Sequence, residues 1–365
     1  MTKPARPQDQ PLIVTQLPDL PGQCVDGGGA RMAQTVYAGL GSAGQRWYCL
    51  DLSSPGHAWQ RCADFPGPAP SCAVVVAAGE AIYVFGGCGK SSPAACTAQF
   101  DTGYRYLPAS DRWEQLRTVL PVGLTGASAL ALDASTLLFF GGYQREQFDH
   151  FHHALESAPQ AQRAEITARY MRRPIAQFGW NTDVWSLNLL TMTWCSVGTQ
   201  PHHGHCKATL LRDGLDFYLL GGEVKPGLRA STIKQGRLGV GGIGNGGGVQ
   251  WHAPHAVPVN DGFAGCFAGR IGQWPVVAGG THFPGSWQRY AQGEYFAHEG
   301  LRKRWLGNIY VLVERQWCHL DSLPQPRANG ISVEVGDGLV LIGGDSDEGR
   351  PCLDTLWLRQ RLSTR

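Results

Sequence analysis

The chain has 365 residues, with 31 basic and 29 acidic side chains, a formal charge of +2 and only 16% charged residues. No basic block marks a nucleic-acid partner, and no run approaches the ~18 apolar residues of a membrane span. The N-terminal stretch MTKPARPQDQPLIVTQLPDLP lacks the apolar core of a secretory signal. Abundant glycine (49 residues) and 10% aromatics favour many short strands joined by tight turns. The 11 cysteines are scattered and never form CxxC. Most, including Cys49, Cys62, Cys72, Cys195 and Cys266, lie in strand-like runs, where a reduced thiol acts as a small apolar filler. A cytoplasmic protein is expected, or a periplasmic one if a leader was removed.

In chain order, the first element is an unpaired strand, LIVTQLPDLP. It is followed by VYAGLGSAGQRWY, which holds G-x-G-x-x-G at Gly39, Gly41 and Gly44. A dinucleotide loop would open a helix there, whereas the aromatic, alternating RWYCLDL continues as a strand. The glycines belong instead to a repeat. IYVFGG (Gly86, Gly87), LLFFGG (Gly141, Gly142), FYLLGG (Gly221, Gly222), PVVAGG (Gly279, Gly280) and LVLIGG (Gly343, Gly344) recur, with VYAGLG as a degenerate first copy. Successive copies lie 47, 55, 80, 58 and 64 residues apart, near the kelch period of about 50.

Each copy has an apolar strand before it. An aromatic strand follows (GYRYLP, DVWSLNL, NIYVLV), then a Trp-led one (AWQRCADFP, RWEQLRTVLP, TWCSVGTQP, QWHAPHAVP, QWCHLDSLP). Four strands in each of six units predict an all-β, six-bladed kelch-type β-propeller over residues 1–365. The last unit ends at CLDTLWLRQ without a Trp-led strand. The N-terminal strand is therefore expected to complete that blade and close the ring.

Two stretches depart from the period. Residues 143–179 lack alternation and are rich in Ala, Gln, Glu and Arg, which predicts a helical insertion in the third blade. Residues 236–248 hold eight glycines in thirteen positions and read as a flexible hairpin loop.

The fourth glycine pair continues as GGEVKPGLR. Glu223, directly after the pair, is expected at the mouth of the central channel, and the Lys-Pro-Gly turn brings Arg229 back to the same opening. A carboxylate and a guanidinium there suit acid/base chemistry and anion binding; a salt bridge pinning the loop is the alternative. The loop after the fifth pair carries Arg289, Tyr290, Glu294, Tyr295, His298 and Glu299, and ligand contact is expected from it. Ser42, in the glycine turn of the first blade, joins the substrate-binding set. The clusters DHFHH (His150, His152, His153) and HHGHC (His202, His203, His205, Cys206) lack strong metal-ligand spacing. They are expected to be solvated surface histidines, so no metal and no cofactor are assigned.

At GGEVKPGLR and GSWQRYAQGEYFAHEGL the chain closely resembles the N-acetylneuraminate epimerases, the kelch-type sialic acid mutarotases of bacteria. LPDLP, VYAGLGSAGQRWYCLDL, VFGGCGK, DGFAGCFAG and LVLIGGDS follow the family's order. The resemblance implies a propeller that speeds interconversion of the α and β anomers of N-acetylneuraminate. It implies Glu223 as base and Arg229 as the grip on the sugar carboxylate. Tyr290, Tyr295 and His298 stand as candidates for the acid. Trp287 stands where the resemblance leads one to expect an arginine, with Arg289 two positions on. The rivals are a kelch binding module without catalysis, a mutarotase of another acidic sugar, and a six-bladed sialidase, whose blade-turn aspartate is missing from SSPGHAW.

Overall fold

A computed structural model of the protein describes residues 11–53, 56–239 and 248–360. Six antiparallel sheets follow one another along the chain, and each runs from an inner strand to an outer one. Blade one comprises Gly28–Met32, Thr35–Gly39, Trp47–Asp51 and Gln60–Arg61. Blade six takes Ile331–Val335, Gly338–Ile342 and Thr355–Gln360 from the C-terminal end and completes itself with Leu12–Leu17. That closing strand pairs in register from Leu12↔Gln360 to Leu17↔Thr355. It covers what would otherwise be an open sheet edge, as the sequence predicts.

The core lies between blades. Six apolar clusters each fill the wedge between two neighbours, so second strands such as Ala81–Phe85 and Gly338–Ile342 are buried along their whole length. This explains why they read as continuous apolar runs, without the alternation of a half-exposed strand. The Trp of each Trp-led strand packs back onto the preceding blade. Trp59, Trp113, Trp194, Trp251 and Trp317 occupy five of the wedges. The sixth, between blades five and six, takes Leu12 and Val14 of the closing strand.

Two tiers of backbone hydrogen bonds tie the blades around the axis. In the inner tier each residue donates its N–H to the carbonyl of the next: Cys72 to Asp26 (2.8 Å), Gly126 to Cys72 (2.8 Å), Lys207 to Gly126 (2.7 Å), Gly265 to Lys207 (3.5 Å), Asn329 to Gly265 (2.8 Å) and Asp26 to Asn329 (2.8 Å). All six have φ between 54° and 67°. Cys72 thus lies in this left-handed ring rather than inside a strand, contrary to its expected role as a strand filler.

The outer tier joins the residue after each glycine pair to the residue just before an inner-tier position. Ser42 donates to Val25, Cys88 to Ser71, Tyr143 to Thr125, Glu223 to Cys206, Thr281 to Ala264 and Asp345 to Ala328, at 2.7–3.2 Å. The turn leading there needs left-handed backbone at close quarters. Gly221 has φ 63°, and a Cβ on it would lie 2.4 Å from the Phe263 carbonyl oxygen. In blade one the pair is Leu40–Gly41, since the Leu40 and Gly86 N–H groups bond equivalently across their turns. Leu40 accepts φ 64° and ψ −164°, at a cost of roughly 1–3 kcal/mol.

Blade three carries the helical insertion between its second and third strands, with α1 at Arg145–Ser157 and α2 at Gln160–Met171. Phe151 and Tyr170 stack at 3.9 Å between the helices. Asp149 and Glu156 of α1 accept from the backbone N–H groups of Gln99 and Thr97 in blade two. In blade four, Thr232–Leu238 and Val249–Trp251 form a hairpin, with Gly236 paired to Trp251. The glycine tract therefore starts inside a strand, and its centre, residues 240–247, lies outside the described residues. That third strand, TIKQGRL, escapes an aromatic pattern because Lys234 and Gln235 are buried in it through polar partners: His203 carbonyl and His205 Nδ1 for Lys234, and His255 for Gln235.

Candidate active site

The outer tier places Ser42, Cys88, Tyr143, Glu223, Thr281 and Asp345 around one mouth of the channel, one from each blade. Directly beneath, Asp26 and Lys207 stand three blades apart, and their side chains meet across the axis at 2.7 Å. This pair forms a charged floor. Burial pulls on the Lys207 ammonium, but Cys72 and the Asp26 carboxylate hold its pKa above the usual lysine range, so it remains a cation. Lys303 extends over the Trp305 ring at 4.2 Å and lies 3.9 Å from Asp345. Asn329 donates to the same carboxylate at 2.8 Å.

Glu223 and Arg229 face each other across a two-stranded turn, Glu223–Lys225 against Leu228–Arg229. Their carboxylate and guanidinium form an ion pair, with side chains 13% and 8% exposed. The turn tightens at Gly227, whose N–H also donates to Glu223 at 3.4 Å. A Cβ there would sit 2.0 Å from His298 Nδ1, so only glycine lets the imidazole cover the turn. Arg229 further donates to Thr281 Oγ1 at 3.1 Å and lies over the Phe283 ring at 5.2 Å. Its Nε is buried with no hydrogen-bond partner among the described residues. Burial lowers the Arg229 guanidinium to about 10, which leaves it charged at neutral pH. The salt bridge that pins the turn is thus present, and it lies at the mouth.

Lys225 fastens this turn to its surroundings. Its ammonium is buried and donates to the carbonyls of Met171 and Arg173, both at 2.7 Å, and to that of Tyr295. The end of the insertion, the fifth-blade loop and the Glu223 turn therefore converge on one side chain. Burial first, then the nearby Arg173, brings its pKa down to about 8.

The fifth-blade loop divides in two. Tyr290, on the short helix α3 (Ser286–Ala291), accepts the Ile175 N–H at 3.0 Å through its hydroxyl. His298 packs between Phe283 and Phe296, both at 5.0 Å. Burial, then the Arg229 and Lys225 charges, pushes its imidazole down to about 4, so it is neutral at physiological pH. Arg289, by contrast, donates to the Glu299 carbonyl at 2.6 Å and reaches Glu294 at 3.8 Å, fastening the loop to itself. Tyr295 is 38% exposed, and Glu299 is exposed at the rim. Trp287 lies beneath the site, donating its indole N–H to the Arg229 carbonyl at 2.8 Å. Ser42 is at the mouth, across the axis from Glu223, and accepts the Val25 N–H at 2.9 Å.

The histidine clusters differ from expectation in part. His150 and His153 are exposed, but His205 and Cys206 are fully buried, because the His205 carbonyl receives the Gly142 N–H beneath the third glycine turn. Among the described residues no three His, Cys, Asp or Glu side chains converge as a metal site. A cavity of about 680 Å3 is a cleft between α1 and α2 lined by residues such as His150, Arg169 and Arg173. It lies apart from the paired charges of the mouth.

Sequence reasoning missed Tyr143, Asp26, Lys207, Asp345 and Lys225. The rule that located Glu223, the position directly after a glycine pair, also yields Tyr143 and Asp345 when applied to the third and sixth pairs.

Fold and mouth together define a six-bladed kelch-type propeller with a buried carboxylate–guanidinium pair at one mouth of its channel. The sequence profile of the N-acetylneuraminate epimerase family matches residues 17–361. Proteins named N-acetylneuraminate epimerase from Yersinia enterocolitica serotype O:8 and Vibrio cholerae serotype O1 are both 36% identical over 341 residues. The alignments cover 91% and 90% of this chain and 86% and 87% of theirs. A Brucella melitensis protein of the same name is 35% identical, covering 91% of this chain and 87% of its own. Among solved structures, that of YjhT superposes with a TM-score of 0.88 at 30% identity, covering 95% of this chain and 98% of YjhT. The chain belongs to the N-acetylneuraminate epimerase family.

Proposed function

We propose that the protein is a sialic acid mutarotase, an isomerase that accelerates interconversion of the α and β anomers of N-acetylneuraminate by acid/base ring opening. The observation that carries this reading is the Glu223–Arg229 pair at the mouth of a propeller of this family. Ring opening removes a proton from the anomeric hydroxyl, breaks the bond from the anomeric carbon to the ring oxygen, and protonates that oxygen. Rotation of the resulting ketone and closure on its other face give the second anomer.

In this mechanism Glu223 takes the hydroxyl proton. Arg229 is the fork for the sugar carboxylate. The two roles are coupled. A substrate carboxylate that engages Arg229 shares the guanidinium with Glu223, weakens its ion pair and makes Glu223 the stronger base. Cationic Lys207 and Lys303 add attraction for an anion at the same opening.

The test uses α-N-acetylneuraminate freshly released by a sialidase, with the anomers followed by NMR. Wild type should equilibrate them far faster than buffer, and Glu223→Gln should fall back toward the uncatalysed rate. A wild-type protein that binds the sugar without changing the rate would identify a binding module instead. We also propose a cytoplasmic location, a reading supported by eleven free thiols, with Cys24, Cys206, Cys266 and Cys352 buried. Recovery of the activity in a periplasmic fraction would overturn that placement.

A further inference from the structure

The mutarotase mechanism needs a group that hands a proton to the ring oxygen, and the three residues that the sequence offers suit it poorly. The Tyr290 hydroxyl faces the Ile175 N–H, which it accepts at the end of the insertion and away from the outer tier, and Tyr295 is exposed on the loop. His298, pushed down to about 4 by burial and neighbouring cations, has lost its acidic proton at neutral pH. The pseudo-sixfold order of the mouth supplies another. Tyr143 follows Gly141 and Gly142 as Glu223 follows Gly221 and Gly222, one blade away, and the backbone of each is held by the same kind of outer-tier bond.

The ring of Tyr143 is fixed in place. It packs on Trp180 at 4.5 Å and Phe148 at 5.2 Å, and against a cluster that includes Cys206. Cys206 exchanges both backbone hydrogen bonds with Glu223, so the phenol and the carboxylate are built on touching parts of the frame. Among the described residues the Tyr143 hydroxyl makes no hydrogen bond, and the residue is only half-buried. After burial, the Tyr143 phenol is the next influence on the Arg229 guanidinium, so the two groups lie within electrostatic reach of each other.

We propose that Tyr143 is the catalytic proton donor to the sugar ring oxygen, working opposite Glu223; the assignment rests on the mutarotase reading above. Glu223 accepts the anomeric hydroxyl proton, and those O–H electrons form the C2=O double bond. The C2–O6 bond breaks onto O6, and O6 takes the phenolic proton. Glu223 is then neutral and Tyr143 a phenolate beside Arg229. Closure on the opposite carbonyl face takes the proton back from O6 to Tyr143 and returns the Glu223 proton to the new hydroxyl. Burial, followed by the Cys206 neighbour, pushes the phenol well above the ordinary tyrosine range, so it carries its proton until O6 needs it.

The experiment measures kcat and KM for the α anomer by NMR in wild type, in Tyr143→Phe and in protein carrying 3-fluorotyrosine at 143, whose phenol is more acidic. Tyr143→Phe should lose about 10²–10⁴-fold in kcat with KM changed less than about threefold. The fluorotyrosine protein should stay active, with the alkaline limb of its kcat profile moved to lower pH. A Tyr143→Phe enzyme that retains kcat within about threefold overturns the proposal, as does an unmoved alkaline limb. If Tyr143→Phe fails to fold, the fluorotyrosine profile decides alone. A wild-type protein without mutarotase activity removes the underlying reading first, and is distinguished by that arm.

Discussion

The two halves of the mouth share one frame and differ in what they carry. Blades three, four and five present Tyr143, Glu223 and Thr281; blades six, one and two present Asp345, Ser42 and Cys88. All six backbones make the same outer-tier bond. The first arc, however, runs into the insertion at 143–179, the Glu223 turn and the loop with α3, whereas blade one returns to its sheet after a single 3-10 turn at Gly41–Ala43. The frame requires left-handed backbone before each position and is indifferent to the side chain that follows. Chemistry can therefore be concentrated on one arc without cost to the ring, and the long connections then press Lys225, Tyr290 and His298 onto that arc alone.

The sharpest break of this comparison is at opposite ends of one diameter. Glu223→Gln should lower kcat by about 10²–10⁴-fold, the scale of a general base, in the anomer assay. Ser42→Ala, in the equivalent slot, removes only the acceptor for the Val25 N–H. It should reduce stability by about 1 kcal/mol in urea unfolding and leave kcat nearly unchanged. Equal losses of activity would show that both arcs take part in the chemistry.

Lys225→Met asks whether the pressed-on loops matter. It frees three carbonyls from two segments and lets the Glu223 turn shift against them. A kcat loss on the order of 10²-fold, the penalty for about 1 Å of misplacement, should accompany faster amide exchange around Met171, Arg173 and Tyr295. Unchanged exchange at those sites would show that the clamp is dispensable.

The division between frame and arc also explains what could be read beforehand. Ring closure by Leu12–Leu17 and the glycine pairs were legible because backbone conformation and wedge packing impose residue types at a fixed period. Even the degenerate first copy was recognisable, although Leu40 rather than Gly39 takes the left-handed slot. Glu223 and Arg229 were legible because a two-stranded turn brings positions six apart face to face. Lys225 was not, since its partners are carbonyls of Met171, Arg173 and Tyr295, which no residue type advertises. Nor was the Asp26–Lys207 floor, because three blades separate its members in sequence while the axis brings them together. Arg289 shows the reverse case. Its charge suggests a ligand contact, but its bonds lead to Glu299 and Glu294, so Arg289→Gln should change kcat/KM by less than about fivefold.

At the floor, both arcs meet. Asp26 and Lys207 are half-buried, with side chains 29% and 28% exposed, so solvent screens their attraction. Asp26→Asn keeps a residue that tolerates the left-handed backbone and should reduce stability by only about 1 kcal/mol, with KM for the anionic sugar unchanged or slightly lower as Lys207 loses its counterion. A raised KM would show that Asp26 itself touches the substrate.

The smallest effect at neutral pH belongs to His298, and its sign can be worked out. The folded protein holds this imidazole at about 4, against ~6.5 in an unfolded chain. Between those values the unfolded state binds the extra proton, so this residue makes stability rise with pH through that window. The contribution is complete above about 6.5 and is lost as pH falls toward 4. Urea midpoints measured from pH 4 to 8 should therefore climb less steeply below 6.5 in His298→Gln than in wild type, and the two slopes should coincide above it. A variant with the wild-type slope would place the acid sensitivity elsewhere, with His205 the next to examine, since burial drives that imidazole well below its ordinary value. Because His298 covers the Glu223 turn while His205 underlies the third glycine turn, the slope would then identify which blade of that arc loosens first in acid.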